Sequence, residues 1–444
     1  YMVQEGGLRA PERKSFNLNS VDYWDNKKLD DEMRRQFDVC HSCRRCFNLC
    51  DSFPKLYDLI DNSVSMELDT VESKAFNKVV DACTLCDMCF MVSCPYVPPH
   101  EFAVDIPSLF IRHKAISNKK TNSLLDTQIA RTDFNGKLGV LLSIFINFLF
   151  NKKRIIFRKI LAFFTGIDVS ATLPKFNNFS FKYFFTKYKK KFDFKKNYRE
   201  KVLIFTSCYV NYNDSKIGES LVKVLEKNKV YMEQFYEGCC KMPQLEQGKV
   251  NEVKKAAIEV AKELNKKIDQ GFKIIAPIAS CALMIKSHWP LLNPENKDVA
   301  LLASATMDID EYLWNLNNRK GLAEGMKSLN KNITLHSSCH SRAQNIGPKS
   351  AQILKLIPNT NTINIEKCSG HGGTWGIKKK WNKTARKVGL TAAKQVFKND
   401  DDIIASTCPL AGLHLQDINE QKNLSNKNNK IFHPIELIAQ SYKL

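Results

Sequence analysis

The chain has 444 residues, 15 cysteines and a formal net charge of +21. Its hydrophobic content of 43% is enough for a packed core and excludes a wholly unstructured chain. The length suits two or three domains. We do not expect a secreted disulfide scaffold, because the first residues of this sequence do not resemble a secretory signal. The positive charge favours an acidic partner, an anionic membrane surface or a nucleic acid.

Cysteines are concentrated between residues 40 and 94. Two runs with the spacing C-x2-C-x2-C are each closed by a fourth cysteine, and a proline follows the last one. The first run comprises Cys40, Cys43, Cys46 and Cys50, and the second comprises Cys83, Cys86, Cys89 and Cys94. Structural zinc sites usually take cysteines in pairs. Groups of three closely spaced cysteines, each followed by a fourth cysteine, therefore indicate iron–sulfur ligation.

This pattern resembles the ligand runs of bacterial two-cluster ferredoxins, in which the fourth cysteine of each run ligates the other cluster. It predicts two 4Fe–4S clusters, one on Cys40, Cys43, Cys46 and Cys94, the other on Cys83, Cys86, Cys89 and Cys50. The second run has one residue more than usual before its last cysteine, so we expect a local bulge there. We assign residues 1–115 to a ferredoxin-like helical domain, with helices at 30–37, 67–83 and 108–115.

Residues 116–200 form a predicted connector that is both apolar and basic. Residues 138–150 are nearly all apolar, and Gly139, Ser143 and Asn147 make one polar stripe if the segment is a single helix. Such a helix is too short to cross a bilayer. Residues 151–164 interleave apolar and basic positions. We expect residues 138–164 to lie in a membrane interface; the alternative is a buried hairpin that caps the next domain. The basic residues that would meet anionic headgroups are Lys152, Lys153, Arg154, Arg158 and Lys159.

A basic and aromatic tract follows at residues 182–201. Its cations are Lys182, Lys187, Lys189, Lys190, Lys191, Lys195, Lys196, Arg199 and Lys201. The tract fits anionic lipid headgroups or a solvated linker. We do not expect a nucleic-acid partner, because no nucleic-acid module accompanies the tract.

The rest of the chain repeats itself, in copies assigned to residues 201–325 and 326–444. Each copy alternates short apolar runs with helices, including helices at 250–268 and 382–396, which predicts parallel sheets. Each apolar run is followed by cysteine, at the strand ends where open α/β sheets bind ligands. The sequence therefore predicts two matched thiol sites. The first has Cys208, Cys239, Cys240 and Cys281, and the second has Cys339, Cys368 and Cys408.

The repeat resembles the cysteine-rich CCG domain found in the B and D subunits of heterodisulfide reductase, in the iron–sulfur protein of glycolate oxidase and in the C subunits of anaerobic glycerol-3-phosphate dehydrogenases. The segments that carry the resemblance are Cys368-Ser-Gly-His-Gly-Gly-Thr-Trp375, His336-Ser-Ser-Cys339-His340 and His433-Pro434.

The chain departs from the five-cysteine pattern of that family. Lys241 and Met284 replace motif residues in the first copy, and Ser369 and Ala411 replace motif cysteines in the second. Four thiolates remain in the first copy, where we expect a third cluster. The second copy keeps three thiolates, and the candidates for a fourth ligand are His340, His371 and His414, of which we select His371.

The resemblance implies an iron–sulfur electron-transfer subunit. It would take electrons from a flavoprotein dehydrogenase for glycerol 3-phosphate or a 2-hydroxy acid and pass them toward quinone. We expect a cytoplasmic α+β multidomain protein, peripheral on the inner face of the cytoplasmic membrane. No GxGxxG fingerprint follows a predicted strand, so the two-electron chemistry is assigned to a partner. The rival hypotheses are a disulfide reductase, a soluble donor to a rubrerythrin-type diiron peroxidase, and a redox-sensing nucleic-acid binder.

Overall fold

The computed structural model describes residues 11–120, 124–190, 198–399, 402–425 and 430–444. In these residues it contains helices and two four-stranded parallel sheets. The helices span Val21–Trp24, Asn26–Cys43, Ser52–Asp61, Asn77–Ala82, Ile106–Lys120, Leu124–Ala130, Thr132–Leu141, Ser143–Phe150, Ile155–Thr165, Phe181–Lys189, Cys208–Tyr212, Ser215–Lys227, Met242–Glu246, Val250–Ile268, Ala279–Leu283, Trp289–Leu292, Lys297–Ala305, Ile309–Lys320, Cys339–Arg342, Lys349–Leu354, Asn382–Val396, Pro409–Lys422 and Pro434–Ser441.

The two sheets have the same topology, which confirms the predicted duplication of a parallel α/β unit. Their strands are β1 (Glu200–Phe205), β2 (Val230–Phe235), β3 (Phe272–Ala276), β4 (Thr306–Asp308), β5 (Ile333–His336), β6 (Thr362–Ile365), β7 (Ile403–Ser406) and β8 (Ile431–Phe432). The strand order is β2-β1-β3-β4 in the first sheet and β6-β5-β7-β8 in the second. The short edge strands β4 and β8 were not predicted, because three or two residues carry no periodicity.

Helices with a clear apolar stripe form where the sequence predicts them. In Val250–Ile268 the buried side chains include Val250, Val253, Ala257 and Leu264, at the three- and four-residue spacing of one helix face. Asn382–Val396 likewise has the predicted bounds. Both helices pack against the sheets and hold the strand ends in place.

The N-terminal part differs from the prediction in two helices. The helix expected at 30–37 spans Asn26–Cys43 and so carries the first two cysteines of its run; it ends where Arg44 adopts φ 50°. The single helix expected at 67–83 is wrong. Two 3-10 turns, Leu68–Thr70 and Ser73–Phe76, precede the short helix Asn77–Ala82. Extended residues between these turns break the helical path although the apolar side chains are buried.

The extra residue of the second cysteine run is absorbed by a π turn. Residues Cys89–Ser93 form this turn, and the Cys94 amide donates to the Cys89 carbonyl at 2.9 Å, five residues back. A π turn inserts one residue into a helical path. The structure thus contains the bulge that the run's length predicted.

Residues 138–150 do not form one helix, contrary to the prediction. Helices Thr132–Leu141 and Ser143–Phe150 meet at an angle of 107°. The predicted polar stripe nevertheless lies on one side and docks on residues 176–178. The Asn147 side chain donates to the Phe176 carbonyl and accepts from the Phe176 amide, both at 2.8 Å, and the Ser143 hydroxyl donates to Asn178 at 3.0 Å. A Cβ at Gly139 would lie 2.3 Å from the Phe176 ring.

Because the polar stripe faces inward, many apolar side chains of this region face outward. We name residues 132–165 the apolar hairpin. Its exposed side chains include Leu141, Ile144, Phe145, Ile156, Phe163 and Phe164, and Ile144 is 84% exposed. The alternative of a capping hairpin holds for the inner side chains Ile146, Leu149 and Leu161, which line a cavity beside the repeat cysteines, but not for the exposed ones.

Two of the five cations predicted to meet lipid headgroups point inward instead. Lys152 donates to Asp417 at 2.6 Å and to Glu420 at 2.9 Å. Arg158 is 1% exposed and donates to three backbone carbonyls, of Asp168, Val169 and Ala171. Burying a charged group without a partner costs free energy. The loop carbonyls and the carboxylates supply the partners that these two cations need. In the predicted basic tract, Lys191, Lys195 and Lys196 lie outside the described residues.

Among the described residues no single helix is long and apolar enough to span a membrane, although the bent pair Thr132–Leu141 and Ser143–Phe150 meets the length and composition test when taken together.

The docking of the apolar hairpin gives a first testable prediction. Asn147→Ala leaves the amide and carbonyl of Phe176 without their side-chain partners. An unpaired buried polar group costs about 1–3 kcal/mol. We expect a lower thermal midpoint and faster hydrogen exchange in residues 174–178, measured by mass spectrometry. Ile144→Ala, on the outward face of the same helix, is the control and should change neither quantity. Equal effects of the two substitutions would contradict this docking.

Candidate functional site

The thiols of the N-terminal cysteine runs lie in two neighbouring groups. Cys40 lies close enough to Cys94, Cys46 and Cys43 to interact with them electrostatically. Cys50 interacts in the same way with Cys83 and Cys86. Burial raises the pKa of Cys46 to about 11 and that of Cys86 to about 12. Thiols this well buried stay protonated in the absence of a cation, whereas a bound metal requires the thiolate.

Backbone amides support negative charge on these sulfur atoms. The Leu85 amide donates to the Cys83 sulfur and the Tyr96 amide to the Cys94 sulfur, each at 3.4 Å. Leu85 has φ 51°, a left-handed conformation that turns its amide back toward the sulfur two residues earlier. Hydrogen bonds to sulfur stabilise thiolate ligands and tune iron–sulfur sites. The donor set therefore fits iron–sulfur ligation.

A buried ionic network that the sequence analysis missed lies inside the second cysteine run. Asp87 stands between Cys86 and Cys89, and the Arg13 guanidinium donates to its two oxygens at 3.1 and 3.2 Å. His288 of the first repeat lies 3.3 Å from the same carboxylate. Burial opposes ionisation of Asp87, but the charges of Arg13 and His288 hold its pKa below the usual range. The sequence feature that could have predicted this network is the acidic residue Asp87 within a run of cysteines.

The four thiols of the first repeat converge. Cys239 is within hydrogen-bonding reach of both Cys208 and Cys240, and Cys240 also reaches Cys281. Close approach of the three thiols lowers the pKa of Cys239 and raises the pKa of Cys208 and of Cys240. The arrangement places four sulfur atoms around one small volume.

The thiols of the second repeat lie beside the N-terminal cysteines. Burial raises the pKa of Cys339, and its charged neighbours are Cys86, Cys368 and Cys408. Cys408 in turn has Cys281 of the first repeat as a charged neighbour. The thiols thus form a continuous series from the second cysteine run through both repeats.

The three candidate histidines of the second repeat differ in their partners. His340 bonds Ser280 at 2.8 Å through Nδ1 and also bonds the backbone of Leu85. Among the described residues, Nε2 of His371 and Nε2 of His414 are buried without a hydrogen-bond partner. Their ring centroids lie 6.1 Å apart. His340 is thus engaged, and His371 and His414 each offer one nitrogen.

The repeats share one structural detail at their motif residues. The Lys241 amide donates to the Cys239 sulfur at 3.4 Å, and the Gly370 amide donates to the Cys368 sulfur at 3.3 Å. Both donors are left-handed, with φ 67° at Lys241 and φ 74° at Gly370. Glycine is needed at 370, since a Cβ there would lie 2.0 Å from the Ala385 carbonyl oxygen. The two motifs are therefore structurally equivalent.

All the repeat thiols line one cavity, although the sequence analysis predicts a separate site in each copy. We name this space of about 530 Å³ the thiol cavity. It forms because the carboxyl-terminal edges of both sheets meet there. Its wall contains all seven repeat cysteines, together with Cys86, His340, His371 and His414.

Two further contacts bring other parts of the chain to this cavity. The Cys239 amide donates to Asp133 of the apolar hairpin at 3.0 Å, and Tyr236 bonds the same carboxylate. Trp375 of the second repeat donates to the Asp81 carbonyl at 2.9 Å, beside Cys83. The sequence gives no signal for Asp133, because it lies more than a hundred residues from its partner.

Within the described residues, no three His, Cys, Asp or Glu side chains are close enough to hold a single metal ion.

The family model for the cysteine-rich domain, CCG, matches residues 202–286 and 333–416. The C subunit of anaerobic glycerol-3-phosphate dehydrogenase from Escherichia coli K12 is 25% identical over 344 residues, which cover 76% of this chain and 82% of that protein. The B subunit of the CoM/CoB fumarate reductase from Methanothermobacter marburgensis is 27% identical over 54% of this chain and 46% of its own. Lactate utilization protein A from Bacillus velezensis is 26% identical over 40% of this chain and 75% of its own.

Residues 202–286 and 333–416 are therefore two members of the cysteine-rich CCG domain family, carried in tandem on one chain.

Proposed function

We propose that this protein is the iron–sulfur electron-transfer subunit of a membrane-associated dehydrogenase. It takes electrons from a partner flavoprotein and passes them toward quinone. The observation that carries the proposal is the continuous series of neighbouring thiols from the N-terminal runs to both repeats. A series of one-electron carriers needs this continuity, whereas structural cysteines do not.

The N-terminal thiols are assigned to two 4Fe–4S clusters within a ferredoxin-like domain. Cys40, Cys43, Cys46 and Cys94 hold one, and Cys83, Cys86, Cys89 and Cys50 hold the other. The proximity of Cys94 to the first run, and of Cys50 to the second, supports this exchange of the fourth ligand. Clusters held there would supply one-electron carriers.

A third cluster is assigned to the first repeat, on Cys208, Cys239, Cys240 and Cys281. Their mutual hydrogen-bonding reach supports the assignment. Cys339, Cys368 and Cys408 of the second repeat are one thiolate short, so metal there depends on a further ligand. His371 is the candidate for that ligand because its Nε2 has no protein partner among the described residues, and no iron is counted for the second repeat without it.

The partner is assigned as a flavoprotein dehydrogenase, since two named relatives are subunits of a dehydrogenase and a reductase. Oxidation of its organic substrate releases two electrons. Reduction of a quinone to a hydroquinone consumes two electrons and two protons, so the exchange balances with protons taken from water.

The apolar hairpin is assigned as the surface that meets an anionic membrane. Exposed apolar side chains are contiguous along two of its helices, a feature that marks interaction sites in soluble proteins. Lys153, Arg154 and Lys159 are exposed between them. Apolar residues with interleaved cations fit the boundary between acyl chains and acidic headgroups.

The exchange of the fourth ligands between the two clusters predicts for which double substitutions the losses of iron add up. Cys94→Ser and Cys43→Ser affect the same cluster, so the pair should lose about four irons, as either single substitution does. Cys94→Ser with Cys86→Ser affects both clusters and should lose about eight. Anaerobic iron and sulfide quantitation with EPR measures both cases, and Ser93→Ala is the control. The reverse pattern of additivity would refute the exchange.

The asymmetry of the repeats predicts unequal metal loss. Cys240→Ser should lower the iron content by about four atoms from a total of about twelve, because the first repeat has four thiolates. Cys408→Ser should leave that content nearly unchanged. The measurement is iron per chain in the intact protein reconstituted anaerobically. If Cys408→Ser removes the iron and Cys240→Ser does not, the second repeat is the one that carries the cluster.

The membrane assignment predicts binding to vesicles that contain anionic lipid. Ile144→Glu with Phe163→Glu should weaken co-sedimentation about tenfold or more, because charges enter the apolar layer. Lys153→Gln with Lys159→Gln should weaken it less and remove part of its salt dependence, at about 1 kcal/mol per cation. Val64→Glu is the control, since Val64 is 95% exposed but distant in sequence from the hairpin. If the wild-type protein does not co-sediment with anionic vesicles, the membrane assignment is wrong.

A further inference from the structure

The wall of the thiol cavity contains two chemically different sets of side chains, which we name its thiol end and its apolar end. The thiol end comprises the repeat cysteines, and the apolar end comprises apolar side chains of the apolar hairpin, among them Ile146, Leu149 and Leu161. Its volume of about 530 Å³ lies within the range of small-molecule sites and includes the space beside Cys208, Cys239, Cys240 and Cys281 that is assigned to the third cluster. No part of the proposed electron path requires an apolar end. The two sets of side chains therefore fit a ligand that has a polar head and an apolar tail.

The apolar end of the cavity adjoins the surface assigned to the membrane. Leu138 lines the cavity and is also 41% exposed. Leu149 lines the cavity from the same helix that presents Ile144 and Phe145 outward. One helix thus has an outer face toward lipid and an inner face toward the cavity. A molecule held in the cavity would therefore lie close to the surface assigned to the membrane.

A polar group at the other end lacks a partner. His414 lines the cavity and is 8% exposed. It bonds the backbone of Ala385, which holds the ring, while its Nε2 is buried and unpaired within the described part of the chain. A buried polar atom of this kind is ordinarily satisfied by a ligand or water. It can hydrogen-bond an oxygen-bearing head group.

One wall of the cavity contains a group suited to proton transfer. Glu246 lines both the thiol cavity and a polar pocket of about 410 Å³ formed with Lys114, Asp126 and Lys378. Burial raises the pKa of Glu246 to about 7, with Lys114 and Lys378 opposing the rise and Cys239 adding to it. Lys378 pairs with Asp126 at 2.6 Å, and Asp81 also acts on Lys114. A non-redox lipid needs no such group, whereas a proton-consuming acceptor does.

We propose that the thiol cavity binds a lipid-soluble quinone, with its ring near His414 and its tail between the helices of the apolar hairpin. This proposal rests on the proposed function and names the place where the quinone that accepts the electrons binds. The quinone gains two electrons from the flavoprotein donor, and each of its two carbonyl oxygens gains one proton. Glu246 passes these protons from the water of the polar pocket.

Binding is tested on the intact, cluster-loaded protein without its donor, by calorimetry in detergent. The probes are a benzoquinone with a ten-carbon alkyl tail, the same ring without the tail, and decanol. We expect the tailed quinone to bind at least about tenfold more tightly than either, because it uses both ends of the cavity. Decanol binding as tightly as the tailed quinone would overturn the proposal, since the site would then hold any alkyl chain.

Matched substitutions on one helix separate the cavity from the membrane surface. Leu149→Trp fills the apolar end and should weaken the tailed quinone about tenfold or more, while iron content and vesicle binding stay unchanged. Ile144→Trp faces outward and should leave quinone binding intact. Leu161→Phe is a second cavity variant in case Leu149→Trp does not fold. Equal quinone affinity in wild type and in a folded, iron-loaded cavity variant would overturn the proposal.

Glu246→Gln gives an independent readout. It should leave quinone affinity within about twofold but slow quinone reduction and flatten its pH dependence near neutrality, while reduction of a one-electron dye that takes up no proton stays unchanged. Unchanged quinone reduction in this variant would remove Glu246 from the proposal. If iron is absent or the dye is not reduced, the proposed function fails instead, and binding of the tailed quinone still reports on the cavity.

Discussion

Parallel strands end at a common edge, and the chemistry of this protein depends on that constraint. Each repeat places cysteines just beyond β1, β2 and β3, or beyond β5, β6 and β7, so the thiols of one sheet meet at one edge. The two edges then face the same cavity, and the loop that contains Cys86 joins its wall. Burial of so many thiols is unfavourable for the thiolate. A site of this kind is therefore built for a bound group that requires the charge.

The apolar hairpin reverses the usual arrangement of an amphipathic helix. Its small and polar residues, Gly139, Ser143 and Asn147, dock on residues 176–178, and many of its apolar residues face outward. In water, exposed apolar surface costs about 25 cal/mol per Å² relative to burial. Other side chains of the hairpin, among them Ile146 and Leu149, line the thiol cavity. The exposed apolar surface and part of the wall of the cavity are consequently two sides of one short helix.

The sequence predicts what depends on local pattern and misses what depends on how distant parts meet. The helix Val250–Ile268 has the predicted bounds because its apolar spacing is unambiguous. The helix expected at 138–150 is wrong because composition does not report a 107° bend. The grouping of the repeat cysteines follows from strand ends, but their shared cavity depends on how the two sheets pack. Asp133, which binds the Cys239 amide, has no local signal for the same reason.

The two repeats differ in the side chains of their motif residues and not in the backbone around them. Both copies need a left-handed residue two positions after the first motif cysteine, so that its amide reaches sulfur. At Gly370 the Ala385 carbonyl excludes any side chain, whereas Lys241 fits and lies 3.8 Å from Asp133. The first repeat thus replaces a glycine with a cation that neutralises a carboxylate beside its thiols. The second repeat retains the glycine but has Ser369 where the first has Cys240. The backbone frame is the same in the two copies, and the loss of sulfur in the second is a change of side chains on an intact frame.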